Sequence, residues 1–159
     1  MLSRLVIVVL ILLIFFFIFK LKTLESFSNN SKVNIGIIIP TTSNKRNFKH
    51  VSDIDFFKIL MHGFLKNCSN KYNYHFYLGI DHDDTFFLKE SDNIVAHFKE
   101  VTEGKSNFRL RIETMYNLKG KVGAIWSKLA KTAVDNKAEY LYQMGDDINI
   151  LTSGWEDSF

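Results

Sequence analysis

The chain opens on an unbroken apolar run, Leu5 to Phe19, bracketed by Arg4 and Lys20. As a helix rising about 1.5 Å per residue it would span roughly 22 Å. Leu21 and Leu24 extend it toward the ~30 Å hydrocarbon core of a bilayer, and Lys20 and Lys22 can snorkel to the interface. The pattern predicts a transmembrane signal anchor over residues 5–24 behind a tail of residues 1–4. A cleaved signal peptide is the competing reading, but no Ala-x-Ala site follows. Residues 25–32 are polar and Ser/Asn-rich, as a stem or linker would be.

Residues 33–159 read as one α/β domain. Val33 to Ile39 is a short, continuous, β-branched run ended by Pro40, the pattern of a strand buried on both faces in a parallel sheet. Asp53 to Lys66 carries Ile54, Phe57, Met61, Phe64 and Leu65 on one helical stripe, with Ser52 or Asp53 as its cap. Tyr74 to Ile80 is a second strand, and Ile94 to Val101 is expected to be a third. Thr102 to Lys119 is polar and fits no element. Val122, Ile125, Trp126, Leu129, Ala130, Ala133 and Val134 define the clearest helix, Val122 to Asn136. Tyr140 to Met144 closes the series as a strand. This order gives a mostly parallel central sheet with helices on both faces and right-handed crossovers.

The net charge is +3, and acidic and basic residues interleave. A nucleic-acid footprint would need Lys and Arg gathered on one face, and Asn44-Lys45-Arg46-Asn47 is too short for one. Cys68 is the single cysteine, so no internal disulfide exists, and its position late in a helix suits a packing residue. His50, His62, His75 and His97 lack zinc spacing, and no serine sits in a nucleophile elbow. Gly120-Lys121-Val122-Gly123 matches neither a P-loop nor a dinucleotide fingerprint. The sequons Asn29-Asn30-Ser31 and Asn67-Cys68-Ser69 would suit a domain outside the cytosol.

Ligands of open α/β sheets bind beyond the C-terminal strand ends. Three expected strands end in polar loops there: Thr41-Thr42-Ser43, Asp81-His82-Asp83-Asp84 and Asp146-Asp147-Ile148-Asn149. Adjacent carboxylates resist joint ionisation unless a cation relieves them. Oxygen ligands of this kind suit Mg²⁺ or Mn²⁺, with substrate phosphates completing the shell. Consecutive strand residues face opposite ways, so Asp146 and Asp147 should differ in role. The plainer alternative is a turn, with Asp side chains capping backbone amides; Asp84-Thr85 could likewise start a helix. Lys121, at a helix start, could meet a phosphate or be an ordinary surface residue. Trp126 reads as core before sugar platform, and His82 as incidental before catalytic.

Read in order, four stretches resemble family 2-like glycosyltransferases of the A-type, Rossmann-like fold. They are Ile35-Gly36-Ile37-Ile38-Ile39-Pro40-Thr41-Thr42, Leu78-Gly79-Ile80-Asp81-His82-Asp83-Asp84, Gly120-Lys121-Val122-Gly123-Ala124 and Tyr140-Leu141-Tyr142-Gln143-Met144-Gly145-Asp146-Asp147. The resemblance covers residues 33–157, the nucleotide-binding half of such enzymes. It implies that Pro40, Thr41 and Thr42 border the nucleotide, that Asp81 contacts the base with Asp83 as rival, and that Lys121 lies near the nucleotide. It implies too that Asp146 and Asp147 stand for the Asp-x-Asp motif that binds ribose and metal, with Asp147 the first choice as ligand. Two positions depart from the pattern: Asn149 replaces a carboxylate, and Trp126 stands where many relatives carry a polar residue.

The expectation is therefore a nucleotide-sugar-binding domain, tethered with its folded part on the lumenal side. Its partners would be a nucleoside-diphosphate sugar, an unknown acceptor, a membrane and a divalent cation. The resemblance places the acceptor half and the base of inverting members beyond Phe159, so no catalytic residue is assigned and transfer by the domain alone is in question. The rivals are a membrane-tethered, non-catalytic α/β interaction module and a nucleotidyltransferase.

Overall fold

The computed structural model describes residues 32–158. The tail, the anchor over residues 5–24, the sequon at Asn29 and nearly all of the stem lie outside the described residues. Among those described, no helix is long and apolar enough to cross a membrane.

Four strands form one all-parallel sheet in the order β3-β2-β1-β4. They are β1 (Asn34–Thr41), β2 (Asn73–Asp81), β3 (Phe108–Met115) and β4 (Tyr140–Gln143). Between β1 and β2 the chain makes a short 3₁₀ turn, Val51–Asp53, then a π-helical stretch, Phe56–Met61, that continues into α1 (His62–Asn67). The connections to β3 and β4 are α2 (Thr85–Val101) and α3 (Val122–Asp135). The chain is thus an α/β fold in which every strand is followed by a helical segment.

Side chains of a strand alternate between faces, and the two halves of the core follow that rule. Ile35, Ile37 and Ile39 of β1 join Tyr74, Phe76, Leu78 and Ile80 of β2 in the larger cluster, together with Phe56, Leu60 and Phe64 and with Phe87, Ile94 and Phe98 of α2. Ile38 and Tyr77, on the other face, pack with Met115 and with Ile125, Leu129 and Ala133 of α3. Burial on both sides is why β1 reads as an uninterrupted apolar run.

Two expectations need correction. The strand expected over Ile94–Val101 is the second half of α2. Phe87, Ile94 and Phe98 recur at i, i+7 and i+11 and are buried, and Asp84 caps the helix by accepting from the Phe87 amide at 3.2 Å, so helical burial wins over the β-branched pair Ile94-Val95. The third strand instead lies in Thr102–Lys119, which had fitted no element. There Phe108, Leu110 and Ile112 alternate with Arg109, Arg111 and Glu113, the period of a strand covered on one face. Smaller shifts affect the first helix, which begins as a 3₁₀ and π segment, and Cys68, which is its C-terminal cap residue.

Helix α3 lies close on the sheet because β1 and β2 present glycines to it. A Cβ on Gly36 would stand 2.9 Å from Leu141 Cδ2 and 3.1 Å from the Cβ atoms of Ala133 and Ala138. The two alanine carbons cannot rotate away. Gly36→Ala should therefore lower stability by about 1–3 kcal/mol, as overpacking does, although alanine is otherwise the better strand residue. Urea denaturation checks the sign, and an unchanged midpoint would show that α3 can ride outward freely.

Candidate functional site

Because the strands are parallel, the polar loops after β1, β2 and β4 all leave the same edge of the sheet, with β1 between β2 and β4. A cleft of about 470 Å³ opens there, within the size range of small-molecule sites. Pro40, Thr41, Thr42 and Asp81 line it, as do Met144 and Gly145 after β4. The start of α3 lines it too, with Val122, Ile125 and Trp126. A second pocket of about 200 Å³ shares Thr42, Asn44, Asp81 and Lys119 and adds Asp83.

Asp146 is 3% exposed. Its Oδ2 accepts from the Thr41 hydroxyl at 2.5 Å and from Arg46 Nη1 at 2.8 Å, and its Oδ1 accepts from Arg46 Nη2 at 3.1 Å. The same Arg46 donates to Asp55 at 2.7 Å, just before the π-helical stretch. Burial works against the Arg46 charge, and the hydrogen bonds and charge of Asp146, aided by Asp55, outweigh it and raise the guanidinium above its ordinary value. A bidentate Arg–carboxylate fork of this kind fixes orientation as well as charge. It ties the β1 loop to the β4 loop and to the first helix. Arg46 also lines the cleft.

Asp147 is exposed. Its Oδ1 would lie 2.7 Å from a Cβ on Gly145, so the glycine leaves room for that carboxylate to fold back over the loop. The segment that follows is clamped to α1. Asn67 Nδ2 donates to the Ile150 carbonyl at 2.6 Å, and Gly63 approaches the Ile150 amide so closely that a Cβ would stand 2.7 Å from it.

After β2, the residues divide by role. Asp81 lines both pockets, and its buried Oδ1 has no hydrogen-bond partner. Asp83 is exposed and takes Lys119 Nζ at 2.7 Å, and that bond holds its carboxyl below the ordinary value. Asp84 is buried and turns back to the β1 loop, accepting from the Ser43 amide and hydroxyl at 2.7 Å each and from Thr42 at 3.2 Å. Lys121 is the N-cap residue of α3 and is exposed, while Lys119, two residues earlier, lines both pockets. Trp126 belongs to both readings made for it: it packs on the smaller core cluster and walls the cleft. Its buried Nε1 has no acceptor.

The structure thus lines one cleft with Pro40, Thr41, Thr42 and Asp81 and puts Asp83 in the adjoining pocket; Asp146 is bonded to the lining residues Thr41 and Arg46 but lies outside both linings, as do Asp147 and Lys121. Arg46 and Lys119 were the residues that sequence reasoning missed. The signal for Arg46 was a basic pair in a loop that leaves a strand beside two acidic ones. Comparison with protein-family models, curated proteins and solved structures finds no match for this chain.

Proposed function

We propose that this domain binds the nucleotide of a nucleoside-diphosphate sugar in the cleft at the C-terminal strand ends, as the donor-binding part of a glycosyltransferase of the A-type fold. One observation carries the reading. Asp81 and Trp126 both line this cleft, and each carries a buried polar atom without a hydrogen-bond partner, the carboxylate oxygen Asp81 Oδ1 and the indole N–H at Trp126 Nε1. Leaving such groups unpaired costs about 1–3 kcal/mol each. A nucleobase edge offers both a donor and an acceptor. Arg46 and Lys119 also line the cleft; their charges are paired with Asp146 and Asp55 and with Asp83, so what they offer a diphosphate is N–H donors rather than net positive charge.

The fit to a divalent cation rests on Asp147. Among the described residues no group of three His, Cys, Asp or Glu side chains forms a preassembled centre. Asp146 spends both oxygens on Arg46 and Thr41. The exposed Asp147 carboxylate is therefore the one that would hold Mg²⁺ or Mn²⁺, in the manner of sites that use one or two carboxylates plus substrate phosphates. When bound, such an ion neutralises charge on a diphosphate leaving group. The residues of this chain bind and orient the nucleotide: Asp81 and Trp126 at the base, Thr41 and Thr42 along the floor, Arg46 and Lys119 toward the phosphates.

The test is thermal melting of the full chain in non-ionic detergent with UDP or GDP and Mn²⁺. Ligand at about a hundred times its Kd adds roughly 2.7 kcal/mol, so the midpoint should rise by several degrees with one nucleotide. EDTA and Asp147→Ala should each remove the rise. The pre-formed Arg46–Asp146 pair is what favours the rival reading, an edge already neutralised and used to hold a macromolecular partner. That reading gains if no nucleotide moves the midpoint. A nucleotidyltransferase would bind nucleotide equally and is separated by whether sugar or nucleotidyl is transferred.

A further inference from the structure

At the other end of the sheet, roughly 20 Å from the cleft by the rise of β1, the described residues line a further cavity of about 160 Å³. Val33 and Ile35 begin β1 there, Tyr72 precedes β2, and Tyr140 and Tyr142 belong to β4. Glu156, in the 3₁₀ turn Trp155–Asp157, completes the lining. The volume exceeds what one water needs.

Glu156 is 5% exposed. Its Oε1 accepts from the Ser69 amide at 2.7 Å and from the Tyr74 hydroxyl at 2.8 Å, while its Oε2 is buried with no hydrogen-bond partner. Burial raises the Glu156 carboxyl, and the Ser69 and Tyr74 donors outweigh that and leave it below its ordinary value, so the group is an anion at neutral pH. A buried anion without a full set of donors is costly. Among the described neighbours, Lys71 feels the charge of Glu156 but its Nζ is engaged with Asp157 at 2.7 Å, and the Cys68 thiol, pushed up to about 12 by burial, is neutral.

We propose that this cavity is a binding site for a primary alkylammonium group, carried by a free amine or by a lysine side chain, with Glu156 as counter-ion and the three tyrosines as walls. The chemistry selects among cations. Aromatic faces attract any of them. The missing donor at Oε2 requires an N–H, which a quaternary ammonium lacks. A guanidinium fork wants two free carboxylate oxygens, and Oε1 is already taken twice. A compact –NH₃⁺ satisfies Oε2 alone.

The experiment is calorimetric titration of the full chain in non-ionic detergent with four probes. Propylammonium and Nα-acetyl-lysine amide should bind saturably, and the tighter of the two identifies the source. Tetramethylammonium and neutral propanol should bind at least tenfold more weakly. Glu156→Gln should abolish ammonium binding. Should that variant unfold, Tyr140→Ala keeps the proposal open to refutation: Tyr140 is 57% exposed, so its loss spares the core, and affinity should fall roughly three- to tenfold, the worth of one partly desolvated cation–π contact. The nucleotide-induced rise in melting temperature should persist in Tyr140→Ala. Absence of saturable ammonium binding, equal binding of propanol, or undiminished affinity in Tyr140→Ala would each overturn the assignment.

Discussion

Arg46→Ala should lower the stability of the chain by about 2–4 kcal/mol and remove its response to nucleotide. The expectation follows from what the variant leaves behind. Asp146 is almost wholly buried, and three of its contacts come from two residues, with two of the three from Arg46. Breaking a buried pair from one side costs about 3–5 kcal/mol because the remaining charge stays desolvated. The lower range is adopted because the Arg46 side chain is 29% exposed and water can reach the vacated place. Among the described residues, Thr41 would remain as the side-chain donor to Asp146. Asp55 is 29% exposed as well, so Asp55→Ala should cost well under 1 kcal/mol, the range of exposed pairs. Urea denaturation gives both values. A double-mutant cycle isolates the Arg46–Asp146 term: Arg46→Ala with Asp146→Ala should cost less than the two separate losses added together. Strict additivity would mean that the fork contributes nothing and that the β1 and β4 loops are held by other contacts.

The same fork shows where the sequence was legible and where it was not. The acidic ends of β2 and β4 stand out in the one-dimensional pattern because carboxylates follow directly on apolar runs. What neutralises them does not. Arg46 pairs with a residue 100 positions away, and nothing local distinguishes it from Lys45 beside it. The reading supposed that acidic side chains wait for an external cation. For Asp146 the chain supplies an arginine, and Asp147 is the exposed carboxylate of the pair. Asp84 before Thr85 already reads as a helix start in sequence, and the structure makes it the cap of α2; what the sequence does not reveal is that the same carboxylate also receives the Ser43 loop.

The fold was legible in proportion to burial. Strand β1 and helix α3 declare themselves because β1 is covered on both faces and α3 on one broad stripe. Strand β3 hides because α3 packs on β1 and β2 and leaves one face of the sheet edge to Arg109, Arg111 and Glu113. Their charge makes the segment look like a loop until the alternation is counted. Helix α2 was cut in two because Ile94-Val95 has strand character, and the preference of a β-branched pair is overridden once Phe87 and Phe98 are buried on the same stripe.

Asp84→Ala is the second large effect, with about 2–4 kcal/mol of stability lost. Loss of an N-cap side chain alone costs about 0.5–2 kcal/mol. Asp84 does more than cap. Its carboxylate takes four hydrogen bonds, from the Phe87 amide, the Ser43 amide, the Ser43 hydroxyl and the Thr42 hydroxyl. It therefore joins the start of α2 to the loop that floors the cleft, and alanine would strand the Ser43 amide as an unpaired donor. Burial raises the Asp84 carboxyl, and these donors outweigh it and hold it below the ordinary value. A carboxylate depressed in the folded state contributes stability that is fully present above the unfolded value of about 3.9 and lost as pH falls through the folded one. Wild-type chain should accordingly lose stability on acidification below about pH 4 more steeply than Asp84→Asn. Asp53, Asp83, Asp157 and Glu156 are depressed too, so the informative quantity is the difference between the two chains at each pH, which cancels their shared contribution. Parallel curves for wild type and Asp84→Asn below pH 4 would show that the Ser43 and Phe87 donors do not discriminate the ionised carboxylate, and would leave the floor of the cleft without its anchor to α2.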